Sequence, residues 1–321
     1  MSKNTRLVAD IGGTHARFAL LGETGAPEMV RILPVAGFAG PVEAIQAYLA
    51  ELDDPSLHAA ALAIAAPVHQ EPIRLTNATW TFTSDDIKSR LGLQQVLLLN
   101  DFTALALSLP HLGNNQLRQI GHGAPVDRAT KAVLGPGTGL GVSGVLYHGG
   151  RWLALATEGG HCSLAPADGR EASILALAWR EFPHVSAERL LSGSGLPLLH
   201  RLVAAVDGQP EEPLSTAEIV ARAVGGQDAQ CSAVVDTFCA MLGSVAGNLA
   251  LTLGAQGGVY VGGGIIPRLG ELFDRSSFRA RFEAKGRFAS YLAAIPTYVV
   301  LSPTPALLGA AHALADSEGH P

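Results

Sequence analysis

The 321-residue chain is poor in the residues that staple, stack or repel. Its three cysteines, Cys162, Cys231 and Cys239, form neither a CxxC pair nor an even-numbered framework, which excludes a disulfide scaffold. An odd set of free thiols suits a reducing compartment, so a cytoplasmic setting is expected. Charged residues make up only 16% against 48% hydrophobic, a balance that excludes a disordered chain. The net charge of -6 comes with no cluster of Lys or Arg, which argues against nucleic acid or an anionic membrane as partner. The start, MSKNTRLVAD, reaches an acid after three apolar residues, too few for the core of a secretory signal. One long apolar run, Cys231 to Leu253, carries Asp236, Asn248, Gly243 and Gly247 and lacks flanking basic residues, so it reads as a buried helix rather than a membrane span.

What the chain does have is an alternation of short apolar runs with longer helical patterns, the mark of an α/β protein, over a length that suggests two domains. Strands are expected at Leu7 to Ala9, Phe18 to Leu21, Ala59 to Ala65 and Val96 to Leu99, with helices at Pro41 to Leu52 and Phe102 to Leu109, the latter ended by Pro110. The opening pattern then returns. Superposing Gly13-Thr14 on Gly137-Thr138 aligns apolar strand, glycine turn and apolar strand, which suggests an internal duplication whose two turns share a cleft.

The turn Gly12, Gly13, Thr14 lets backbone N–H groups approach an oxygen anion with no Cβ in the way, and glycine there can take positive φ. Phosphate is the natural guest. Asp10 would orient water around a Mg²⁺ that bridges phosphate oxygens, although an ordinary hairpin with a turn acid reads the same way. The second turn, Gly135 to Gly141, lacks the lysine of a Walker P-loop. A formal GxGxxG at Gly139, Gly141 and Gly144 is followed by a hairpin pattern, Val142 to Tyr147 and Trp152 to Ala156, rather than the helix a dinucleotide fingerprint requires. A third turn, Gly262, Gly263 and Gly264, follows a short strand and precedes Pro267, leaving room for a flat purine or for close helix packing. Three such turns without a lysine point to a nucleotide held by backbone, hydroxyls and metal.

Asp101 follows a buried strand and precedes a helix, so it is either the helix cap or a general base at the strand exit where α/β sheets place ligands. As a base it would take the proton of a hydroxyl attacking a γ-phosphoryl group. Asn100, Glu158 and His161 of "TEGGH", and Glu188 of "SAERLLSG" have the paired acceptors and donors that sugar hydroxyls require. Glu188 also suits the first turn of a helix capped by Ser186. His161 beside Cys162 has no partners at zinc-ligand spacing, so no zinc is expected.

Together "DIGGTHAR", "LLNDFTALA", "GPGTGLGV", "EGGH", "SAERLLSGSG", "GGVYVGGGIIPR" and the closing "PTPALLGAAHAL" resemble the bacterial glucokinase family, nearly end to end. The resemblance implies a two-domain actin-like ATPase (ribonuclease H-like) α/β fold. Its small domain would span residues 1–110, completed by a C-terminal helix over 303–321, and its large domain residues 111–302. It implies transfer of the γ-phosphoryl of ATP, with Mg²⁺, to the 6-hydroxyl of glucose. Asp101 would be the base, and Asn77, Asn100, Glu158, His161 and Glu188 would hold the other hydroxyls. Asp10, Gly12, Gly13, Thr14, Gly137, Thr138 and the turn from Gly262 to Gly264 would hold the nucleotide. Family members are commonly homodimers. Where the first motif usually reads GGTNxR, this chain has His15, which alters a side-chain hydrogen bond of the turn. The CxCG zinc cluster that follows EGGH in the repressor and open-reading-frame sugar kinases is absent, the chain reading SLAPADGRE after Cys162. Two alternatives stay open: a kinase of another hexose such as mannose or fructose, or a non-catalytic sugar sensor or actin-like ATPase. A DNA-linked sensor would need a basic helix-turn-helix ahead of Leu7, and an actin-like assembler would not need Asp101 together with EGGH and SAER.

Overall fold

The computed structural model describes residues 5–52, 55–75 and 78–319. Its strands are β1 (Thr5–Ile11), β2 (His15–Leu21), β3 (Pro27–Pro34), β4 (Leu57–Ile64), β5 (Ile73–Arg74), β6 (Thr81–Phe82), β7 (Gln95–Asn100), β8 (Leu117–Ile120), β9 (Lys131–Pro136), β10 (Leu140–His148), β11 (Arg151–Leu155), β12 (Val259–Val261) and β13 (Thr297–Val300). They form a five-stranded sheet ordered β3-β2-β1-β4-β7, a six-stranded sheet ordered β11-β10-β9-β12-β13-β8, and the small β5-β6 pair. Five strands of the second sheet thus repeat the order of the first. The pairing senses repeat as well: β1 is antiparallel to β2 and parallel to β4, as β9 is to β10 and β12. That agreement is what an internal duplication leaves behind.

The chain divides into two compact units, one of residues 1–112, 151–156 and 302–321, the other of residues 113–150 and 157–301. In the first, alternation along β1 sends Leu7, Ala9 and Ile11 into one core with Ile45 and Tyr48 of helix α1 (Pro41–Ala50) and Ile87 of helix α2 (Ser84–Leu91). The opposite face presents Val8, Ala19, Ala59 and Ala61 to Leu307, Ala310, Ala311 and Leu314 of the last helix, Pro305–Glu318. Such two-sided burial explains why β4, LHAAALAI, is a continuous apolar run. The last helix also lies against helix α3 (Asp101–Ser108), where a Cβ on Gly309 would run into the Ala104 carbonyl oxygen.

The second unit has its own core of aliphatic and phenylalanine side chains. Helix α4 spans Gly169–Ala178, α5 Ala187–Leu190, α6 Leu196–Val206, α7 Thr216–Gly225 and α8 Ala229–Leu253. The long apolar run is therefore a helix, and 72% of its most apolar stretch is buried within the fold. The polar segment from Val206 to Thr216 joins α6 to α7, and Ser215 ends it as a helix cap whose side chain accepts the Glu218 N–H. Gly149 and Gly150 turn the chain between β10 and β11 with φ of 59° and 85°, so the segment after the second glycine turn is a hairpin.

Candidate active site

In the first unit, β1, β4 and β7 run parallel, with Ile11 beside Ile64 and Ile64 beside Asn100. The turn after β1 and the Asn100-Asp101 pair therefore leave the same carboxyl edge of one sheet, two strand spacings or about 10 Å apart. Asn100 is the cap of α3: its Oδ1 accepts the N–H groups of Phe102 at 2.9 Å and Thr103 at 3.2 Å. Its amide nitrogen donates to the Ala66 carbonyl at 3.5 Å. With capping done by Asn100, Asp101 is the first residue of the helix, half-buried, its Oδ1 accepting the Phe102 N–H at 2.9 Å.

Asp10 faces Arg17 across the β1-β2 pair, and the Arg17 guanidinium donates to its Oδ2 at 3.1 Å. Burial pushes the Asp10 carboxyl above the ordinary carboxylate range, and Arg17 pulls back against it. Gly12 donates its N–H to the His15 carbonyl at 3.0 Å, closing the turn, while Thr14 and His15 stand exposed. Neither Gly12 nor Gly13 adopts positive φ. Backbone conformation is thus not what requires glycine here; a Cβ on Gly12 would lie 3.4 Å from the His15 carbonyl oxygen that closes the turn.

The second unit gathers the remaining residues around one backbone turn. Gly137 and Thr138 lie between β9 and β10, and a Cβ on Gly137 would meet nothing within 4 Å. The turn is held from several sides. Gly193 donates to the Gly137 carbonyl at 2.7 Å, and the Ser194 hydroxyl to that of Thr138 at 3.1 Å. Gly263, at φ 81°, sits where a Cβ would strike the Pro136 carbonyl, so the third glycine turn packs directly on the second. The EGGH segment docks on the start of β10: a Cβ on Gly160 would collide with the Leu140 carbonyl, and one on Gly159 would lie 2.8 Å from Val142. This close fit leaves Glu158 and His161 exposed on either side of the glycines.

Residues 162–164 then run beside 185–187, with Leu164 donating to Val185 at 3.0 Å and Ala187 to Cys162 at 2.9 Å. That pairing brings Glu188 to the turn. Ser186 caps α5 by accepting the Arg189 N–H at 3.2 Å, so the Glu188 side chain is not spent on its own helix. Its Oε2 accepts the Leu140 N–H at 2.9 Å, and its Oε1 lies 3.9 Å from His161 Nδ1.

Beyond the third glycine turn, Ile265 and Arg268 join Thr216, Ala217, Val220, Ala221 and Val224 of α7 around a cavity of about 280 Å³. Its wall is mostly aliphatic, with Arg268 its one charged residue and the Thr216 hydroxyl committed to the Gly193 carbonyl. The sequence alone does not point to this cavity or to the Ser192-Gly193-Ser194 support. For the support the sequence offers only the SGSG run, since the Thr138 partner of Ser194 lies 56 residues away. Asn77 lies outside the described residues. Among those described, no three His, Cys, Asp or Glu side chains group as metal ligands.

Two sheets of one strand order, each opening on a glycine turn, and an acid at a strand exit define the actin-like phosphotransferase fold. The chain belongs to the glucokinase family, whose profile matches residues 7–317. It is 52% identical over 311 residues to the glucokinase of Chromobacterium violaceum, covering 97% of this chain and 89% of that one. It is 51% identical to the glucokinase of Aromatoleum aromaticum, over 96% of this chain and 94% of that one. The crystal structure of glucokinase from an Antarctic psychrotroph superposes with a TM-score of 0.89 at 36% identity, covering 98% of this chain and 99% of that one.

Proposed function

We propose that the chain transfers the γ-phosphoryl group of ATP to the 6-hydroxyl of glucose, giving glucose 6-phosphate and ADP. The observation that carries the reading is the setting of Asp101. Asn100 does the capping of α3, and Asp101 stands beside it on the sheet edge that also bears the Asp10 to Thr14 turn. Asp101 takes the proton from the attacking hydroxyl, a role worth about 10² to 10⁴ in rate. Glu158, His161, Glu188 and Asn100 hold the other hydroxyls. The turns at Gly12 to Thr14 and at Gly137-Thr138 hold phosphate oxygens through backbone N–H groups. The aliphatic cavity between α7 and Ile265, next to Gly262 to Gly264, takes the adenine ring.

Mg²⁺ enters as part of the nucleotide substrate. A single half-buried carboxylate, Asp10, already paired with Arg17, fits contact through water to a hydrated cation; it does not fit a cage that would hold a resident one. When bound, the cation neutralises charge on the β and γ oxygens. A homodimeric state and a cytoplasmic setting belong to the same reading and rest on the family resemblance and the free thiols; sedimentation of the purified chain checks the first.

The test is formation of glucose 6-phosphate from glucose and Mg-ATP, with mannose and fructose run alongside. Turnover with glucose well above the other hexoses is expected. Preference for another hexose would replace the substrate, and absence of product from any hexose while sugar and ATP still bind would favour a sensor.

A further inference from the structure

We propose that Glu188 is a positioning residue for the nucleotide, tethering the phosphate-binding turn through one oxygen while the other faces the sugar side; the inference rests on the kinase reading above. The two carboxylate oxygens are already divided between two tasks. Oε2 accepts the Leu140 N–H at 2.9 Å, and Oε1 is directed to His161, 3.9 Å away. The space beside Gly139 is filled by this same carboxylate, since a Cβ there would overlap Glu188 Oε2. Glycine at 139 is therefore required by the tether, Glu188 being the nearest group an added Cβ would meet. Leu140 is the residue on which the arrangement converges, because its carbonyl is the one against which Gly160 of the EGGH segment packs. A carboxylate that only read sugar hydroxyls would have no need to accept a backbone N–H of the turn. A half-buried acceptor for an N–H is costly to remove, and its loss takes away one of the anchors that hold the turn.

With the tether the Gly137-Thr138 backbone is preset for phosphate; without it the turn keeps its Gly193 and Ser194 anchors but loses the one at Leu140. The tether is local to the second unit and needs no sugar. It therefore acts on nucleotide binding even in the absence of hexose, which separates it from a role in sugar recognition.

The experiment measures Mg-ADP binding without sugar, and glucose binding without nucleotide, by calorimetry on the full chain. Glu188→Ala removes the acceptor. Glu188→Asp keeps the charge but is one methylene short of Leu140. Glu188→Gln keeps an oxygen able to accept the Leu140 N–H. Expected are Mg-ADP affinities about five- to tenfold weaker in the Ala and Asp variants and within about twofold of wild type in the Gln variant, with glucose binding weakened at least tenfold in all three. Glu158→Gln serves as the control, losing glucose affinity with Mg-ADP unchanged. Wild-type Mg-ADP affinity in both the Ala and Asp variants overturns the proposal, and the Asp variant still decides it should the Ala variant fail to fold. Wild-type protein that binds Mg-ADP yet phosphorylates no hexose would instead overturn the kinase reading, leaving the tether measurable.

Discussion

The rings of His111 and His312 stack face to face, their centroids 3.3 Å apart and their planes 9° from parallel. Burial, followed by the charge His312 would carry, lowers the His111 pKa to about 4, against the pull of Asp316. Burial lowers His312 too, with Asp316 again opposing. The pair is thus neutral at neutral pH and links the segment after α3 to the last helix.

A histidine whose pKa is depressed by folding stabilises the native state above its unfolded pKa of about 6.5, and that contribution is lost as pH falls toward the folded value. Melting temperature should therefore drop between pH 7.5 and 5, from His111 by an amount equivalent to about 1 kcal/mol once partial exposure is allowed for. In His111→Gln the drop should be shallower, which thermal melts at the two pH values would reveal.

Asp101→Asn keeps the side-chain shape and an oxygen for the Phe102 N–H while removing the base. Its kcat for hexose phosphorylation should fall about 10²- to 10⁴-fold with glucose affinity nearly unchanged. Unimpaired turnover in steady-state kinetics would remove Asp101 from the chemical step.

Ala221 lines the aliphatic cavity beside the third glycine turn. Ala221→Phe fills that space, so the KM for ATP should rise about tenfold or more while the KM for glucose stays within about twofold. An equal rise in both would place the base elsewhere.

Gly309→Ala is a test of packing. Alanine gains up to about 1 kcal/mol over glycine in a helix interior, but here its Cβ would strike the Ala104 carbonyl on α3. Overpacking against a backbone atom costs about 1–3 kcal/mol, so the clash wins and the variant should be less stable in urea titration.

Elements written as an apolar run or at helical spacing between turn residues are legible in the sequence. β1, β4 and α1 are of this kind, and so is the hairpin after Gly141, because proline and glycine punctuate them. β3 was not legible: PEMVRILP is mostly exposed at the sheet edge, and Met29 at φ 55° breaks the alternation. The part of the site written in short motifs could be read as motifs, but its supports could not. Arg17 opposite Asp10 depends on hairpin register, and Gly193 on Gly137 or Ile265 beside Val220 depends on contacts that only the folded chain makes. Whether Asn100 or Asp101 caps α3 differs by a single residue, below what propensity resolves.

The last helix covers the face of Val8, Ala19, Ala59 and Ala61, yet it begins at Pro305, roughly 200 residues after α3 ends. On a ribosome adding about 5–20 residues per second, that apolar face waits some 10–40 s, by about that rate, before its cover is made. During synthesis the first unit is therefore a sheet with one side bare, and an interrupted chain leaves that side open to chaperones and to other nascent chains.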